Sequence, residues 1–189
     1  TPLYSSAASD VYKRQMLKRA VKHADAVVVP SHAVGARLAE IAKLSGRIRV
    51  IPGAAPCGLV VPFDATARRA SLSLPAGYLV LTGSADSLEH GFRAAIAAGK
   101  EAVVLDAPEG SEPRLAEVAA AAGLSESKAH IRGSLSVEDR AAVLAGASAL
   151  VATSPRAAWP WRAVEAMTLG VPVVAVESGV HHDCLLYTS

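Results

Sequence analysis

Short apolar runs alternate with amphipathic stretches from residue 78 to residue 176. The runs are rich in valine, leucine and alanine and end at or before glycine or a polar residue, which is typical of short buried strands. The stretches between them repeat apolar residues at helical spacing. The pattern predicts strands over 78–82, 102–106, 129–132, 149–152 and 171–176, separated by helices over 89–98, 112–122, 137–145 and 161–169.

Strands that are apolar on both faces and separated by helices predict a parallel sheet covered on both sides. The fold class is therefore α/β, with a doubly wound parallel Rossmann-like sheet. Ligands of such sheets bind beyond the carboxyl ends of the strands. We expect the loops at Gly83, Asp106, Gly133 and Ser154 to face one crevice.

A separate βα pattern precedes this alternation. It predicts a helix over 18–24, a buried strand over 25–30, a helix from the N-cap Ser31 to about Leu44, and a strand over 47–51. Residues 54–77 are punctuated by prolines and have no clear period, which suits an interdomain connection with one short helix near 65–71. We expect the strands within 25–51 to stay outside the main sheet.

Composition excludes several classes of protein. A hydrophobic content of 51% with 19% charged residues is ordinary for a globular chain and does not indicate disorder. The formal net charge of +2, without a basic run, gives no reason to expect nucleic acid as a partner. No apolar run approaches the roughly 20 residues of a membrane helix. The expected location is cytoplasmic, including the inner face of the membrane.

Both ends of the sequence resemble translated sequencing adapters. Residues 10–15 can be written as the DNA GATGTGTATAAGAGACAG, whose reverse complement, read one base out of frame, encodes residues 184–189. We therefore expect residues 1–15 and 184–189 to be non-native, and residues 10–15 and 184–189 to contribute nothing to the core. The informative part is then about 16–183, a metagenomic fragment truncated at both ends. Cys57 is its one cysteine, so no disulfide framework is predicted.

The stretch 154–176 reads as loop, helix and buried strand at the predicted crevice. Pro155 and Pro160 punctuate the loop, and Gly170 is suited to cap the helix. Glu165 lies about one turn from the helix N-terminus, where backbone N–H groups and the helix dipole favour an anionic ligand. A nucleotide diphosphate is the natural ligand for such a place.

Glu165-Ala166-Met167 and Gly170-Val171-Pro172-Val173 resemble the hallmark of the retaining glycosyltransferases of the GT-B fold, glycosyltransferase family 4. The resemblance implies transfer of a hexose from a nucleotide-diphosphate sugar to a glycan, lipid or small-molecule acceptor, with retention. It implies the nucleotide sugar as substrate and no other cofactor.

The resemblance also implies a domain organisation. Residues 16–56 are similar to the end of the N-terminal acceptor domain, 57–77 to the interdomain connection and 78–183 to the C-terminal nucleotide-sugar-binding domain. In the family the rest of the N-terminal domain carries a glycine-rich loop and a catalytic histidine. We therefore expect no catalytic residue in this fragment, no activity of the fragment alone, and any peripheral membrane association to run through the missing part.

Gly83 and Ser84 resemble the family segment whose backbone and basic side chains hold the donor diphosphate. Where the family has an Arg-Lys pair, this chain has Leu88 and Glu89, and a glutamate repels a diphosphate. His90 is the basic residue left to replace that pair. The alternative is that Gly83 only forms a strand-to-helix turn.

Arg132 and Gly133 resemble the segment whose backbone receives the nucleotide base. Ser136 is the predicted N-cap of the helix that follows, with Asp139 at the capping-box position. A polar cap after a strand occurs in most α/β domains, so this segment is a weak signal by itself.

Glu165 matches the second of two hallmark glutamates, which in the family is directed at the ribose hydroxyls. The first, directed at the donor sugar, is replaced by Ala157, so the sugar contact is lost or supplied from elsewhere. Arg162, at the helix start, is a candidate phosphate ligand, with a solvated helix-start residue as the alternative. The predicted donor-binding set is Gly83, Ser84, His90, Arg132, Gly133, Trp161, Arg162 and Glu165.

His181, His182 and Asp183 resemble a metal-ligand cluster only superficially, and we assign them to a loop with no metal site. Two alternatives to a glycosyltransferase stay open. A degenerate, non-catalytic GT-B paralogue with a binding or scaffolding role is suggested by Ala157 and by Leu88-Glu89. A GT-B sugar-nucleotide epimerase has weaker support, because its own signature is not visible.

Overall fold

The computed structural model describes residues 3–44 and 46–187. The helices, in chain order, are α1 Leu3–His23, α2 His32–Ile41, α3 Ala65–Ser71, α4 Ala85–Ala97, α5 Glu112–Ala122, α6 Val137–Ala145, α7 Trp161–Thr168 and α8 Gly179–Tyr187. The strands are β1 Val27–Val29, β2 Ile48–Val50, β3 Leu79–Thr82, β4 Ala102–Val104, β5 Ala129–Ile131, β6 Ala149–Ala152 and β7 Val173–Ala175. Within the described part of the chain, no helix combines the length and the apolar character needed to cross a membrane.

The main sheet has five parallel strands in the order β5-β4-β3-β6-β7. Successive residues of a strand point to opposite faces. Leu79 and Leu81 of β3 accordingly face α4 and α5 in one core cluster, whereas Val80 faces α6 and α7 in the other. This arrangement confirms the predicted α/β fold with helices on both faces of a parallel sheet.

β1 and β2 form a separate two-stranded parallel sheet, with Val27 opposite Ile48. The sheet lies apart from the five-stranded one, as expected from the chain order of the patterns. α8 reaches this part of the chain, because the backbone N–H of Ala33 at the start of α2 donates to Asp183 Oδ2 at 3.0 Å. The domain boundaries themselves stay a prediction.

The helix ends follow local chemistry that the sequence shows in part. Ser31 and Ser136 cap α2 and α6, each accepting a hydrogen bond from the backbone N–H three residues on. Gly170 has a left-handed φ of 73° just after α7, as its predicted capping role requires. Asp139 departs from the capping-box pattern: its carboxylate accepts from Arg68 at 2.7 Å and from the Ser136 hydroxyl at 2.9 Å. Arg68 and Ser136 lower the pKa of Asp139.

The C-terminal segment corrects two expectations. His181 and His182 lie in helix α8 rather than in a loop. Cys184 is fully buried and packs in a cluster with Trp159 and Val164, so the expectation that residues 184–189 contribute nothing to the core is wrong at this position. The physical reason is helical spacing, which puts Cys184 on the same face of α8 as the buried Val180. At the N-terminal end, where the same expectation applies, residues 11–15 of α1 are exposed.

Tyr78 gives the fold a pH-dependent contribution to stability. Its buried hydroxyl donates to Val143 O at 2.7 Å, and burial raises the pKa of Tyr78 from 10.0 to about 12. Between these values the unfolded chain loses the phenolic proton and the folded chain keeps it, so stability falls as pH rises. The loss approaches roughly 2–3 kcal/mol above the upper value.

We expect Tyr78→Phe to cost about 1 kcal/mol at neutral pH, because the buried hydrogen bond from the Tyr78 hydroxyl to the Val143 carbonyl is lost. The variant lacks the ionisable group, so its stability should fall less steeply above pH 10. Urea unfolding of both proteins at neutral pH and at about one pH unit above the ordinary tyrosine value measures this difference. Parallel pH profiles of the two proteins would contradict the assignment.

The two cysteines provide a matched test of the packing of α8. Cys184 is buried and Cys57 is exposed. We expect Cys184→Ala to lower the free energy of unfolding by about 1 kcal/mol or more, because it opens a gap beside Trp159, and Cys57→Ala to change it by less than about 0.5 kcal/mol. Denaturant titration measures both. Equal, negligible effects would show that α8 does not pack against the core.

Candidate functional site

A cavity of about 290 Å³ opens at the carboxyl ends of β3, β4 and β6, beside the N-terminus of α7. We call it the edge cavity. Three of the four loops expected to share a crevice reach it, those at Gly83, Asp106 and Ser154, whereas Gly133 does not. It is lined by Thr82, Gly83, Ser84, Leu105, Asp106, Ala152, Ser154, Ala157, Trp159, Pro160, Trp161, Arg162, Ala163 and His181.

The first wall of the edge cavity is the turn between β3 and α4. A Cβ atom at Gly83 would overlap the hydroxyls of Thr153 and Ser87, so only glycine fits there. The Ser87 and Thr153 hydroxyls lie 3.0 Å apart, and the Ser84 hydroxyl donates to Ser87 Oγ at 3.1 Å. Of the residues packed together in this turn, Gly83 and Ser84 line the edge cavity.

Arg162 is the cation of the edge cavity. Its Nε and Nη2 atoms donate to Asp106 at 2.6 and 2.9 Å, and Nη1 donates to Glu165 Oε2 at 2.9 Å. Burial alone would lower the pKa of Arg162, but the hydrogen bonds and charges of Asp106 and Glu165 outweigh it and raise the pKa. These bonds use three of the five guanidinium N–H donors, which leaves two for a ligand.

Glu165 lies behind Arg162 rather than at the cavity wall. Its side chain is 2% exposed, and it accepts from Arg140 of α6 at both oxygens, with Nε–Oε2 of 2.9 Å and Nη2–Oε1 of 3.1 Å. The Glu165 carboxylate therefore accepts hydrogen bonds from two guanidinium groups, those of Arg140 and Arg162. The structure gives Glu165 different partners from the ribose hydroxyls that the family resemblance implies. In this arrangement it holds Arg162 in place.

Asp106 completes the ion-paired chain at the carboxyl end of β4. Its φ of 58° lies in the left-handed region, which a non-glycine residue adopts at a cost of about 1–3 kcal/mol. Its carboxylate binds Arg162 through both oxygens. The surrounding structure holds this strained backbone in place at the edge of the cavity. Strained backbone of this kind is concentrated at functional sites in proteins.

Two indole rings form the opposite wall of the cavity. Trp159 is buried and Trp161 is half-exposed. Gly53, in the segment after β2, lies against both, since a Cβ there would meet Trp161 Cη2 at 2.6 Å and Trp159 Nε1 at 2.7 Å. Trp159 Nε1 is buried without a hydrogen-bond partner among the described residues. The connection between the two sheets therefore contacts the candidate site.

The model of the family described as glycosyl transferases group 1 matches residues 78–185. The chain belongs to this family. A search of curated proteins gives no match.

Two solved structures resemble the chain. WaaG, a glycosyltransferase involved in lipopolysaccharide biosynthesis, aligns with a TM-score of 0.64 and 16% identity over 82% of this chain and 45% of its own. Sucrose-phosphate synthase from Thermosynechococcus elongatus aligns with a TM-score of 0.68 and 26% identity over 93% of this chain and 46% of its own. The fold of the group 1 domain thus matches the Rossmann-like C-terminal domain of GT-B glycosyltransferases. The chain spans about half the length of each.

The α4 residues of the group 1 domain lie in three different environments. Leu88 is buried in the core, and Glu89 is turned toward Arg93, to which it is bound at 2.6 Å. His90 lines a neighbouring cavity of about 490 Å³, which shares Ser84 and Ser154 with the edge cavity. Glu89 lines neither cavity, so its carboxylate is directed away from the place where a diphosphate was expected.

Arg132 and Gly133 lie at the same edge of the sheet but outside both cavities. The Arg132 guanidinium donates to Leu72 O at 2.6 Å and to Ile131 O at 2.9 Å. A Cβ at Gly133 would have Ala107 O as its neighbour at 3.7 Å, which is ordinary contact, so sterics do not require glycine there. The structure brings Gly83, Ser84, Trp161 and Arg162 together and leaves these two apart.

Several residues at the candidate site were absent from the sequence-based set. Asp106 and Ser154 were predicted only as starts of loops at the crevice. Arg140 gave no signal, because it lies on a helix with a polar first turn typical of a solvated face. The sequence-based set also lacked Trp159 and His181, which line the edge cavity, and Arg156, which lines the neighbouring cavity.

The buried pair of Glu165 and Arg140 predicts a large effect on stability. Glu165→Ala should lower the free energy of unfolding by about 3–5 kcal/mol, because it leaves the buried Arg140 charge without its partner. Glu89→Ala is the matched control, since Glu89 also pairs with an arginine but on an exposed helix face, and it should cost at most about 0.5 kcal/mol. Denaturant unfolding compares them, and similar small losses would contradict the role given to Glu165.

Proposed function

We propose that the chain is the donor-binding part of a retaining GT-B glycosyltransferase of family 4, which transfers a hexose from a nucleotide-diphosphate sugar to an acceptor. The observation that carries the proposal is that Arg162, in the first turn of α7, lines the edge cavity together with the turn at Gly83 and Ser84. We assign the diphosphate to this cavity. Membership of the glycosyl transferases group 1 family supports the reaction class.

In this proposal Arg162 provides the positive charge for the donor diphosphate that an Arg-Lys pair provides in the family. Leu88 and Glu89 stand at the positions of that pair, and neither side chain lines the edge cavity. The two free N–H donors of Arg162 are suited to adjacent phosphate oxygens, since arginine binds phosphate in a planar, two-point geometry. His90 and Arg156, in the neighbouring cavity, are additional candidates for the outer phosphate oxygens.

The binding geometry of Arg162 is set before the ligand arrives. Asp106 and Glu165 hold its guanidinium from two sides, and its side chain is 22% exposed. A side chain already held in one conformation loses little entropy on binding. In this proposal Glu165 positions Arg162. Its own contact with ribose remains a hypothesis based on the family resemblance.

Trp161 is proposed as the stacking surface for the nucleotide. It is half-exposed and lines the edge cavity, and an indole face can stack on any base at a gain of about 1–3 kcal/mol. Gly83 and Ser84 would contact the diphosphate through the backbone. Arg132 and Gly133, predicted to receive the base, would have to act from the sheet edge outside this cavity.

The same proposal covers the organisation of the whole protein. Residues 16–56 would end an acceptor-binding domain, 57–77 would connect it to the donor-binding domain at 78–183, and the acceptor would be a glycan, lipid or small molecule. We propose a cytoplasmic location, with any contact to the inner face of the membrane made by the acceptor domain. No metal or cofactor is required besides the nucleotide sugar.

A second candidate function has a specific observation in its favour. Ala157 lines the edge cavity where the family resemblance calls for a glutamate directed at the donor sugar. A non-catalytic paralogue that binds a nucleotide poorly or not at all would tolerate this change. Measurement of nucleotide binding separates the two candidates.

The test is calorimetric titration of the full chain with UDP, GDP and ADP. We expect one of them to bind with a dissociation constant below millimolar, and Arg162→Met to weaken it by roughly ten- to hundredfold, because charge-assisted hydrogen bonds of about 1.5–3 kcal/mol are lost. Arg162→Lys should retain only part of the native nucleotide affinity, since a lysine lacks the planar pair of donors. Arg162 is preferred to Glu165 as the target, because removing Glu165 also releases Arg162.

Arg93→Met is the control for loss of a positive charge. Arg93 is exposed on α4, is paired with Glu89 and lines neither cavity, so this substitution should leave nucleotide affinity unchanged. Absence of binding of all three nucleotides at millimolar concentration would favour the non-catalytic paralogue. Equal affinities of the Arg162→Met and native proteins would remove the diphosphate from the edge cavity.

A further inference from the structure

His181 is a buried histidine in the wall of the edge cavity. It lies in the first turn of α8 and is 3% exposed, yet it lines the cavity together with Ala157 and Arg162. Its ring Nδ1 is 2.8 Å from Val176 O and 3.0 Å from Ser178 Oγ. The ring is thus held from one side by the loop that follows β7.

The Val176 carbonyl determines the tautomer of the neutral ring. A carbonyl oxygen only accepts hydrogen bonds, so Nδ1 must carry the proton that it shares with Val176 O. In a neutral imidazole the other nitrogen then has a lone pair and no hydrogen. Nε2 is therefore a hydrogen-bond acceptor.

Nε2 is the ring nitrogen left for a ligand. The hydrogen bonds of the ring all fall on Nδ1, and Nε2 has no partner among the residues that the structure describes. Since His181 lines the cavity, a ligand there can reach the ring. A lone pair would repel a phosphate oxygen, which is also an acceptor, whereas it matches a hydroxyl, which donates.

We propose that Nε2 of His181 accepts a hydrogen bond from a hydroxyl of the donor sugar. This contact replaces the one that the methyl group of Ala157, in the same cavity, cannot make. The inference rests on the proposed function, and it adds that the sugar of the donor carries a free hydroxyl that is recognised by this histidine. His181 is then a binding residue of α8 rather than only a structural one.

Two isosteric variants separate the ligand role from the structural role. The amide of His181→Asn takes the place of Nδ1, so it keeps the bond to Val176 O and has no acceptor at the position of Nε2. The amide of His181→Gln takes the place of Nε2, so it offers an acceptor to the sugar and loses the bond to Val176 O. Binding and thermal stability should therefore respond in opposite ways to these two changes.

The measurement is calorimetry of the full chain with UDP, GDP and ADP beside UDP-glucose, GDP-mannose and ADP-glucose, with thermal unfolding of each variant. For the native chain we expect the matching nucleotide sugar to bind about three- to tenfold more tightly than its free diphosphate, as one net hydrogen bond provides. His181→Asn should abolish this difference and keep the diphosphate affinity and the melting temperature. His181→Gln should keep part of the difference and melt at a lower temperature.

The outcomes separate this inference from the proposed function. If free diphosphates bind but the native chain gains nothing from the sugar, or if His181→Asn keeps the full gain, the inference is wrong and the proposed donor site stands. If no diphosphate and no nucleotide sugar binds to the native chain, both are wrong.

Discussion

The candidate site depends on one buried carboxylate. Glu165 cannot be buried as a charge without partners, and Arg140 and Arg162 provide them from α6 and from the first turn of α7. Asp106 then binds the outer side of Arg162 at the end of β4. The resulting chain of alternating charges ties two helices and a strand end together, and it leaves one arginine at the edge cavity with donors to spare. The proposed site for an anion is thereby built from interactions that also stabilise the fold.

The fold could be predicted from the order of apolar and polar residues because the strands of the main sheet are short and mostly apolar, and a helix lies between each strand and the next along the chain. Ala65–Ser71, Glu112–Ala122 and Val137–Ala145 form helices over the predicted residues. The predicted helix start is wrong where the apolar pattern alone does not show which residues pack in the core. α4 starts at Ala85 rather than at residue 89, because Ser84 is its N-cap and Leu88 packs in the core one turn before Phe92.

The site was predictable only where its residues follow a strand or begin a helix. Gly83, Ser84, Trp161 and Arg162 have such places, and they share one cavity. The partner of Glu165 could not be predicted, because Arg140 is 25 residues away on another helix and reaches it only through the packing of α6 against α7. His181 and Cys184 were missed for a different reason. Both lie on the buried face of helix α8, where the sequence predicts a loop at His181 and a non-native end at Cys184.

Binding of a nucleoside diphosphate in the edge cavity has a direct optical test. The chain has two tryptophans, Trp159 and Trp161, and both line this cavity, so tryptophan fluorescence reports on this one place. Titration with UDP, GDP and ADP, corrected for absorption with free tryptophan amide, should give a saturable change for at least one diphosphate, and the corresponding nucleoside should give a much weaker change at the same concentration. An emission that stays constant up to millimolar diphosphate, or that responds equally to nucleoside and diphosphate, would contradict the claim.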